Sequence, residues 1–280
     1  MIRTAKSADA DHLRQIWQAC FGDTDAYINF FFDHAFDPEK TLVFEAEGAV
    51  CSMLFLLDCS VWIGGEEYPA SYLYAAATLP AYRSRGIMGR MIRRAGEFCR
   101  DLGKDFIILV PAEPGLFDYY ARFGFQPYFY DAAEEWPSNG EQGMPAAQGI
   151  EAEDVSALEQ IRRAVLRRCG GMMWNGAQFS YALREHRLTG GQLLQTEDGY
   201  ALYHCTADEC TVDELMVLPG AERAFQDALR RAVPATRFRV VHPCGVGQAP
   251  RARGMLWDLN GRVGRAPARA ERPYIGLTLG

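Results

Sequence analysis

The sequence predicts a mixed α/β fold, of the α+β kind with a mixed sheet, that occurs twice in one chain. The first half has the order helices, antiparallel strand meander, helix, strand, helix, strand. The second half repeats this order after a stretch at 136–145 that is dense in turn-forming residues. With 280 residues and 49% hydrophobic content, the chain is long enough for two small domains. We therefore predict domains at 1–136 and 150–280, joined by a linker at 137–149.

The elements of the first half follow from short-range patterns. Apolar residues at helical spacing predict two helices before residue 40. Alternating or continuous apolar runs predict strands over 41–46, 49–63 and 67–78, separated by glycine-containing turns that are typical of hairpins. A helix is predicted from Ile87, and the apolar run at 106–110 is typical of a strand that is covered on both faces.

The second half gives weaker versions of the same signals. Its pattern predicts helices over 154–168 and 179–188 and a strand meander over 192–218. A third helix is predicted from 222, a strand over 238–242 and a closing strand over 274–279. Because the order matches the first half, we interpret the second half as a diverged copy.

The turn that follows the third strand is the strongest functional signal. Pro80 ends the strand because it has no N–H to donate, and Gly86 and Gly89 allow a ligand to approach the backbone. The amides at the start of the next helix form a natural anion site, to which Arg83 and Arg85 add positive charge. Taken alone, this pattern fits an ordinary glycine-containing connection equally well. No Gly-Lys-Ser/Thr follows, so the turn is not a P-loop.

Two motifs together resemble the GCN5-related N-acetyltransferases. Residues 82–89, Tyr-Arg-Ser-Arg-Gly-Ile-Met-Gly, resemble the loop that binds the acetyl-CoA pyrophosphate in that family, with the pattern Gln/Arg-x-x-Gly-x-Gly/Ala. Residues 117–125 resemble its Phe-Tyr-x-x-x-Gly-Phe element. Met88 departs from the pattern, since the family usually has Gly or Ala there. A bulkier residue at this point is similar to the enhanced intracellular survival branch, whose members carry two tandem acetyltransferase-like domains.

This resemblance implies the acyl-CoA N-acyltransferase fold, as a tandem pair with a degenerate second copy. The corresponding turn at 218–223 has no Arg-x-x-Gly-x-Gly equivalent, so we expect no cofactor there. The resemblance also implies an N-acetyltransferase that uses acetyl-CoA as co-substrate. The implied cofactor-binding residues are Ala76, Ala77, Thr78, Arg83, Ser84, Arg85, Gly86, Ile87, Met88 and Gly89. A backbone N–H near Thr78 or Leu79 is expected to stabilise the thioester oxygen.

Tyr120 and Glu113 are the predicted catalytic residues. Tyr120 matches the tyrosine that is the general acid in many relatives, and a phenol with a pKa of about 10 can protonate a departing thiolate. The alternative for Tyr120 is a half-buried aromatic residue at the start of a helix. Glu113 stands where many members have an asparagine that contacts pantetheine. It therefore fits three roles: a base, directly or through water; a pantetheine contact; or a solvated side chain.

Several alternatives stay open at the level of sequence. The main hypothesis is acetyl transfer to a primary amine in a ternary complex, on a small-molecule or peptide substrate: aminoglycoside, polyamine, amino acid or protein N-terminus. The runner-up is a non-catalytic acyl-CoA-binding or regulatory module, and a purely structural two-domain protein is the third. A homo-oligomer is compatible with all three.

Charge and cysteine content exclude other classes. Residues 1–150 carry 12 basic and 21 acidic side chains, a net charge of −9, and the remainder carry 17 and 15, a net charge of +2. This does not indicate nucleic-acid binding, whereas an acidic half suits a cationic amine. The eight cysteines are scattered without a Cys-x-x-Cys pair, which favours reduced thiols and no metal. Without a signal peptide or a long apolar run, we expect a cytoplasmic protein and no membrane span.

Overall fold

The computed structural model describes residues 1–137, 155–206, 208–243, 249–263 and 272–279. The chain divides into two compact units. Unit 1 consists of Met1–Ser60, Tyr68–Pro127 and Gly254–Ala266, and unit 2 consists of Val61–Glu67, Tyr128–Arg253 and Pro267–Gly280.

Unit 1 contains a strand meander followed by a helix–strand–helix–strand sequence. Its elements are β1 Ile2–Thr4, α1 Ala10–Phe21, α2 Asp25–His34, β2 Thr41–Ala46, β3 Ala49–Ile63, β4 Glu66–Thr78, α3 Ile87–Asp101, β5 Phe106–Leu109, α4 Gly115–Ala121 and the start of β6 Phe125–Pro137. The predicted strands at 41–46 and 49–63 are confirmed to the residue, because continuous apolar runs end there at glycine turns.

The sheet of unit 1 follows the order β1-β2-β3-β4-β5-β12, where β12 is Arg251–Asp258 from near the end of the chain. Strands β4 and β5 are parallel, as expected for a pair joined through a helix, whereas β12 runs antiparallel to β5. The buried side chains of α3 pack on this sheet, among them Met91, Ile92 and Ala95.

Trp257 of β12 packs against the core of unit 1 and so anchors the last strand there. A Cβ at Gly96 of α3 or at Gly124 before β6 would collide with its indole ring. Both glycines are therefore required by close packing, since only a residue without a side chain leaves room for the ring. Met255 and Leu256, which pair with Leu109 and Ile108 of β5, are fully buried.

Unit 2 repeats the helix–meander–helix–strand order. Its elements are the rest of β6, α5 Val155–Cys169, β7 Gly171–Trp174, α6 Gly176–Leu188, β8 Gln192–Gln195, β9 Gly199–Cys205, β10 Glu209–Val217, α7 Glu222–Ala232 and β11 Arg237–Pro243. The strand order is β6-β11-β10-β9-β8, in which β10 and β11 are parallel and the pairs β6–β11, β9–β10 and β8–β9 are antiparallel. The short strand β7, which pairs with β3, was not predicted, because its four residues are too few to show an alternation of apolar and polar side chains.

A buried ion pair organises the interior of unit 2. Arg162 donates to both carboxylate oxygens of Glu214 at 2.5 and 2.6 Å, and neither side chain is exposed. Tyr200 donates its hydroxyl to the same carboxylate at 2.7 Å. Burial alone would lower the pKa of Arg162, but the Glu214 charge holds that pKa above its ordinary value. The two buried charges thus compensate each other, as a buried charge requires, although Arg162 Nε has no hydrogen-bond partner among the described residues.

The predicted closing strand at 274–279 is wrong. Only Tyr274 pairs there, in a single parallel bridge with Gly171. The following backbone serves the buried ion pair instead: the Ile275 carbonyl accepts from Arg162 at 3.1 Å, and the Leu277 amide donates to Glu214 at 2.6 Å. Gly276 lies between them with φ 64°, a conformation that interrupts a strand.

The two units differ from the predicted domains because each unit is made of three separate segments of the chain. The chain passes between units near Ser60, Glu67, Pro127, Arg253 and Ala266. Local patterns do not reveal this exchange, because it depends on the long-range pairing of β12 with β5. The predicted linker at 137–149 lies outside the described residues except for Pro137, which ends β6. Among the described residues, none of the helices combines the length and apolar character that crossing a membrane requires.

Candidate active site

The site begins where β4 extends beyond its parallel partner. The β4–β5 register pairs Ala70 with Phe106 and ends at Tyr72 and Ile108, but β4 continues to Thr78. Between the two parts of β4, Ala75 has φ 44°, a conformation that residues with a Cβ rarely adopt. Such local strain is typical of functional sites.

The predicted strand end, Ala76–Thr78, is held from the β3 side by a buried serine. Ser52 donates its hydroxyl to the Ala77 carbonyl at 2.7 Å, and its oxygen lies 2.8 Å from the Thr78 hydroxyl. The Leu79 amide donates to the Cys51 carbonyl at 3.0 Å. Leu79 is therefore not the free amide that we expected near the thioester. Strand alternation directs the Thr78 amide away from β3, so Thr78 remains as the candidate.

The turn after β4 presents backbone amides at the start of α3. A short 3-10 helix, Pro80–Tyr82, leads into Ser84 and Gly86, which have φ values of 61° and 69°. The first α-helical bond of α3 runs from the Arg90 amide to the Gly86 carbonyl at 3.2 Å. The amides of the preceding helical residues thus have no partner inside the helix, and they are available to an anion.

Gly86 has its left-handed conformation without any crowding. Apart from its two neighbours in the chain, no described residue has an atom within 4 Å of the position that a Cβ would occupy, so the positive φ alone favours glycine. Gly89 differs, because a Cβ there would lie 3.1 Å from the Phe123 ring. The two predicted glycines therefore serve different purposes, the turn in one case and packing in the other.

The predicted turn residues divide into an exposed group and a buried group. Arg83, Ser84, Arg85 and Gly86 are exposed, whereas Ile87 and Gly89 are buried and Met88 is half-buried against the core. The Met88 side chain is therefore directed at the core and contributes to anchoring α3, which explains how a large residue fits where the family motif has a small one.

The two arginines of the turn are held by main-chain carbonyls. Arg83 donates its Nε to Thr78 at 3.0 Å, and Arg85 donates an Nη2 to Ala81 at 2.9 Å. The Arg85 guanidinium also lies 5.2 Å from the centre of the Tyr82 ring. Because carbonyl contacts leave the charge unneutralised, both arginines contribute positive potential at the start of α3.

Tyr120, on α4, belongs to the aromatic group that packs against the core of unit 1. Its ring meets Tyr119 edge-on at 5.3 Å and Phe125 at 5.7 Å. Burial raises the pKa of Tyr120 to about 12, and the neighbouring Tyr119 phenol adds to the rise. Among the described residues, the Tyr120 hydroxyl has no hydrogen-bond partner. The phenol is therefore protonated at neutral pH, the form that a general acid needs.

Glu113 lies in the connection between β5 and α4, exposed to solvent. Its carbonyl accepts the Leu116 amide at 3.0 Å, which helps to begin α4. Within the described part of the chain, its carboxylate makes no hydrogen bond or ion pair. The side chain is thus free to contact a ligand or water.

The sequence did not reveal four residues that support this site. Ala75 gave no signal because alanine rarely has positive φ, and Ser52 lies unmarked in an apolar strand. Tyr27 of α2 and Tyr74 of β4 were also missed as a pair, although their hydroxyls lie 2.8 Å apart. Each depends on contacts between residues that are distant in sequence.

Comparison with known proteins identifies the class. Residues 1–128 match the family model described as an acetyltransferase (GNAT) domain. The uncharacterized N-acetyltransferase YjhQ of Escherichia coli (strain K12) is 28% identical over 151 residues, which cover 52% of this chain and 75% of the relative. The predicted resemblance to the GCN5-related N-acetyltransferase superfamily is thereby confirmed for residues 1–128, the part of the chain that the family model matches.

Solved structures extend the likeness in fold to most of the chain. A GCN5-related N-acetyltransferase from Anabaena variabilis has a TM-score of 0.74 at 17% identity, covering 93% of this chain and 73% of its own. Eis1 from Mycobacterium abscessus has a TM-score of 0.70 at 16% identity, covering 93% and 74%. The predicted acyl-CoA N-acyltransferase fold is thereby confirmed, and the likeness in fold to Eis1 agrees with the predicted resemblance to the enhanced intracellular survival branch.

Proposed function

We propose that this protein is an acetyl-CoA-dependent N-acetyltransferase that transfers acetyl to a primary amine directly, in a ternary complex. One observation carries the proposal: the free amides of the Gly86 turn, two uncompensated arginines and a strained strand end occur together in unit 1. A phosphate-bearing thioester fits all three features. An ordinary connection would need none of them.

The cofactor binds through backbone and charge in this proposal. The amides of Ile87, Met88 and Gly89 hold the pyrophosphate, and Arg83 and Arg85 neutralise it. Exposed Ser84 and Gly86 allow the phosphates to approach closely. The pantetheine arm lies along Ala76–Thr78 as an additional strand, on the side where β4 has lost its β5 partner.

The chemistry needs one electrophile, one nucleophile and one acid. The cationic amine first releases one proton to solvent, and its lone pair then attacks the thioester carbonyl carbon. The oxygen that becomes negative accepts a hydrogen bond from the Thr78 amide. The C–S bond then breaks, and Tyr120 donates its proton to the departing thiolate. The new amide nitrogen loses its extra proton to Glu113, directly or through a water molecule, and Tyr120 regains a proton from solvent.

The acceptor class follows from charge. The acidic first half attracts a cationic amine, whether it belongs to a small molecule or to a peptide. The seven cysteines among the described residues are all free thiols, which supports a reducing compartment such as the cytoplasm.

A thioester assay tests the proposal. Wild-type protein with acetyl-CoA and a panel of primary amines should release CoA thiol only when an amine is present. Tyr120→Phe should abolish most of this release, whereas Tyr119→Phe, its edge-on neighbour, should retain it. Acetyl-CoA binding without amine-stimulated cleavage would instead favour the non-catalytic binding module.

A further inference from the structure

Unit 2 contains a cavity of about 240 Å3 that is unrelated to the turn of unit 1. Two histidines and a carboxylate meet on its wall: His186 from the last turn of α6, His204 from β9 and Asp213 from β10. One potential ligand atom from each residue lies within 4.8 Å of the other two. These side-chain types are the ordinary ligands of borderline divalent metals.

His186 is oriented as a metal-binding histidine usually is. Its side chain is buried, and its Nε2 lies 3.2 Å from the Gln192 carbonyl, which assigns the proton to Nε2. The lone pair is therefore on Nδ1. Metal-binding histidines typically donate their other N–H to such an oxygen, which fixes the ring.

Asp213 lies beside His204 at an irregular point of β10. The β9–β10 register shifts between Val212 and Glu214, so Asp213 is the extra residue of a bulge. Bulges are common beside functional sites. The Asp213 carboxylate lies 2.7 Å from His204 Nδ1, and Nε2 of the same ring lies 3.4 Å from the Thr189 hydroxyl.

We propose that His186, His204 and Asp213 form a zinc-type site for one divalent transition-metal ion, with the cavity supplying solvent at the remaining position. The ligand atoms of a tetrahedral zinc site lie about 3.3 Å apart, so small ring rotations close the set. The metal takes the position of the proton between His204 Nδ1 and Asp213. That proton moves to Nε2 of His204, which faces the Thr189 hydroxyl. The ion then ties α6 to the β9–β10 hairpin.

The charges around the cavity are compatible with a cation. Arg251 is already paired with both oxygens of Asp131, at 2.8 and 2.9 Å. Arg239 and Arg253 also line the cavity but are exposed, so solvent screens them. Neighbouring Cys205 is not a ligand, since successive residues of a strand point to opposite faces.

Zinc titration of the full chain tests this site. After chelator treatment, the wild type should bind one Zn²⁺ per chain in equilibrium dialysis, and zinc should raise its melting temperature until chelator reverses the shift. His204→Ala and Asp213→Asn should each weaken binding at least about tenfold. His34→Ala and Cys205→Ser, which leave the set intact, should bind as the wild type does.

Each opposite result overturns the site. If the wild type binds no zinc, the proposal is overturned, and this result does not depend on whether any variant folds. Undiminished binding in both His204→Ala and Asp213→Asn, or loss in Cys205→Ser, would place the zinc elsewhere. Activity of unit 1 is not part of this test, so it is independent of the proposed acetyl transfer.

Discussion

The two units contain the same strand–turn–helix arrangement with opposite chemistry at the turn. In unit 1, parallel β4 and β5 flank the turn into α3; in unit 2, parallel β10 and β11 flank the turn into α7. The α3 turn has Gly86 in a left-handed conformation and two arginines that donate to main-chain carbonyls. The α7 turn has Glu222 in the first helical position, where its carboxylate accepts the Gly220 amide at 2.8 Å.

This difference shows how one scaffold gains or loses an anion site. A helix N-terminus attracts negative charge, and unit 2 satisfies that preference with its own carboxylate. An incoming phosphate would meet a like charge there. In unit 1 the same position has only amides and positive side chains, so the attraction is left for a ligand. The copy without the motif is therefore degenerate for a physical reason.

The largest expected effect comes from separating the copies. A fragment of residues 1–136 lacks β12, whose Met255 and Leu256 are fully buried in unit 1. We expect this fragment to show no acetyl-CoA binding and no cooperative thermal transition. Differential scanning calorimetry and titration of the fragment against the full chain measure both. A folded, binding fragment would show that unit 1 does not need its last strand.

Tyr120→Phe removes the proposed acid without removing its ring. Turnover should fall by about 10²–10⁴-fold, while acetyl-CoA affinity stays near that of the wild type. Since the acid acts when protonated and the pKa of Tyr120 is raised to about 12, the wild-type rate should not fall on account of this group until strongly alkaline pH. Steady-state kinetics across pH check both statements; an unchanged rate in the variant would remove Tyr120 from the mechanism.

Arg162→Met tests whether unit 2 is stabilised by its buried ion pair. The substitution leaves the Glu214 charge buried without its partner, at a cost of about 3–5 kcal/mol. Denaturant unfolding should show this loss in the transition of unit 2. The control is Arg163→Met on the same helix, whose half-exposed pairs with Glu67 and Glu159 should contribute about 1 kcal/mol or less. Equal losses in the two variants would contradict the assignment.

Glu222→Gln has the smallest expected effect. Removing the carboxylate charge at the start of α7 should cost about 0.3–1 kcal/mol, measurable as a small shift in the unfolding midpoint. Because the turn at 218–223 still lacks the Arg-x-x-Gly-x-Gly pattern, the variant should bind acetyl-CoA with wild-type stoichiometry. A second binding event would mean that Glu222 alone blocks the site of unit 2.

The parts of this account that the sequence predicted are local. The turn at 82–89 could be recognised because its glycines and arginines, and Pro80 just before it, act within a few residues of one another. The exchanged strand β12, the strained Ala75 and the loss of a strand at 274–279 could not be predicted, since each is decided by partners far along the chain. Met88 is an intermediate case, because its departure from the motif was visible but its packing was not.

The most direct test of the central claim is calorimetric titration of acetyl-CoA into the wild type and two matched variants. Gly86→Trp and Gly220→Trp both introduce an indole at a left-handed glycine with open space around it, one in each turn. We predict binding in the micromolar range by the wild type and Gly220→Trp, and loss of binding in Gly86→Trp. No binding by the wild type, or binding that survives in Gly86→Trp but not in Gly220→Trp, would contradict the account.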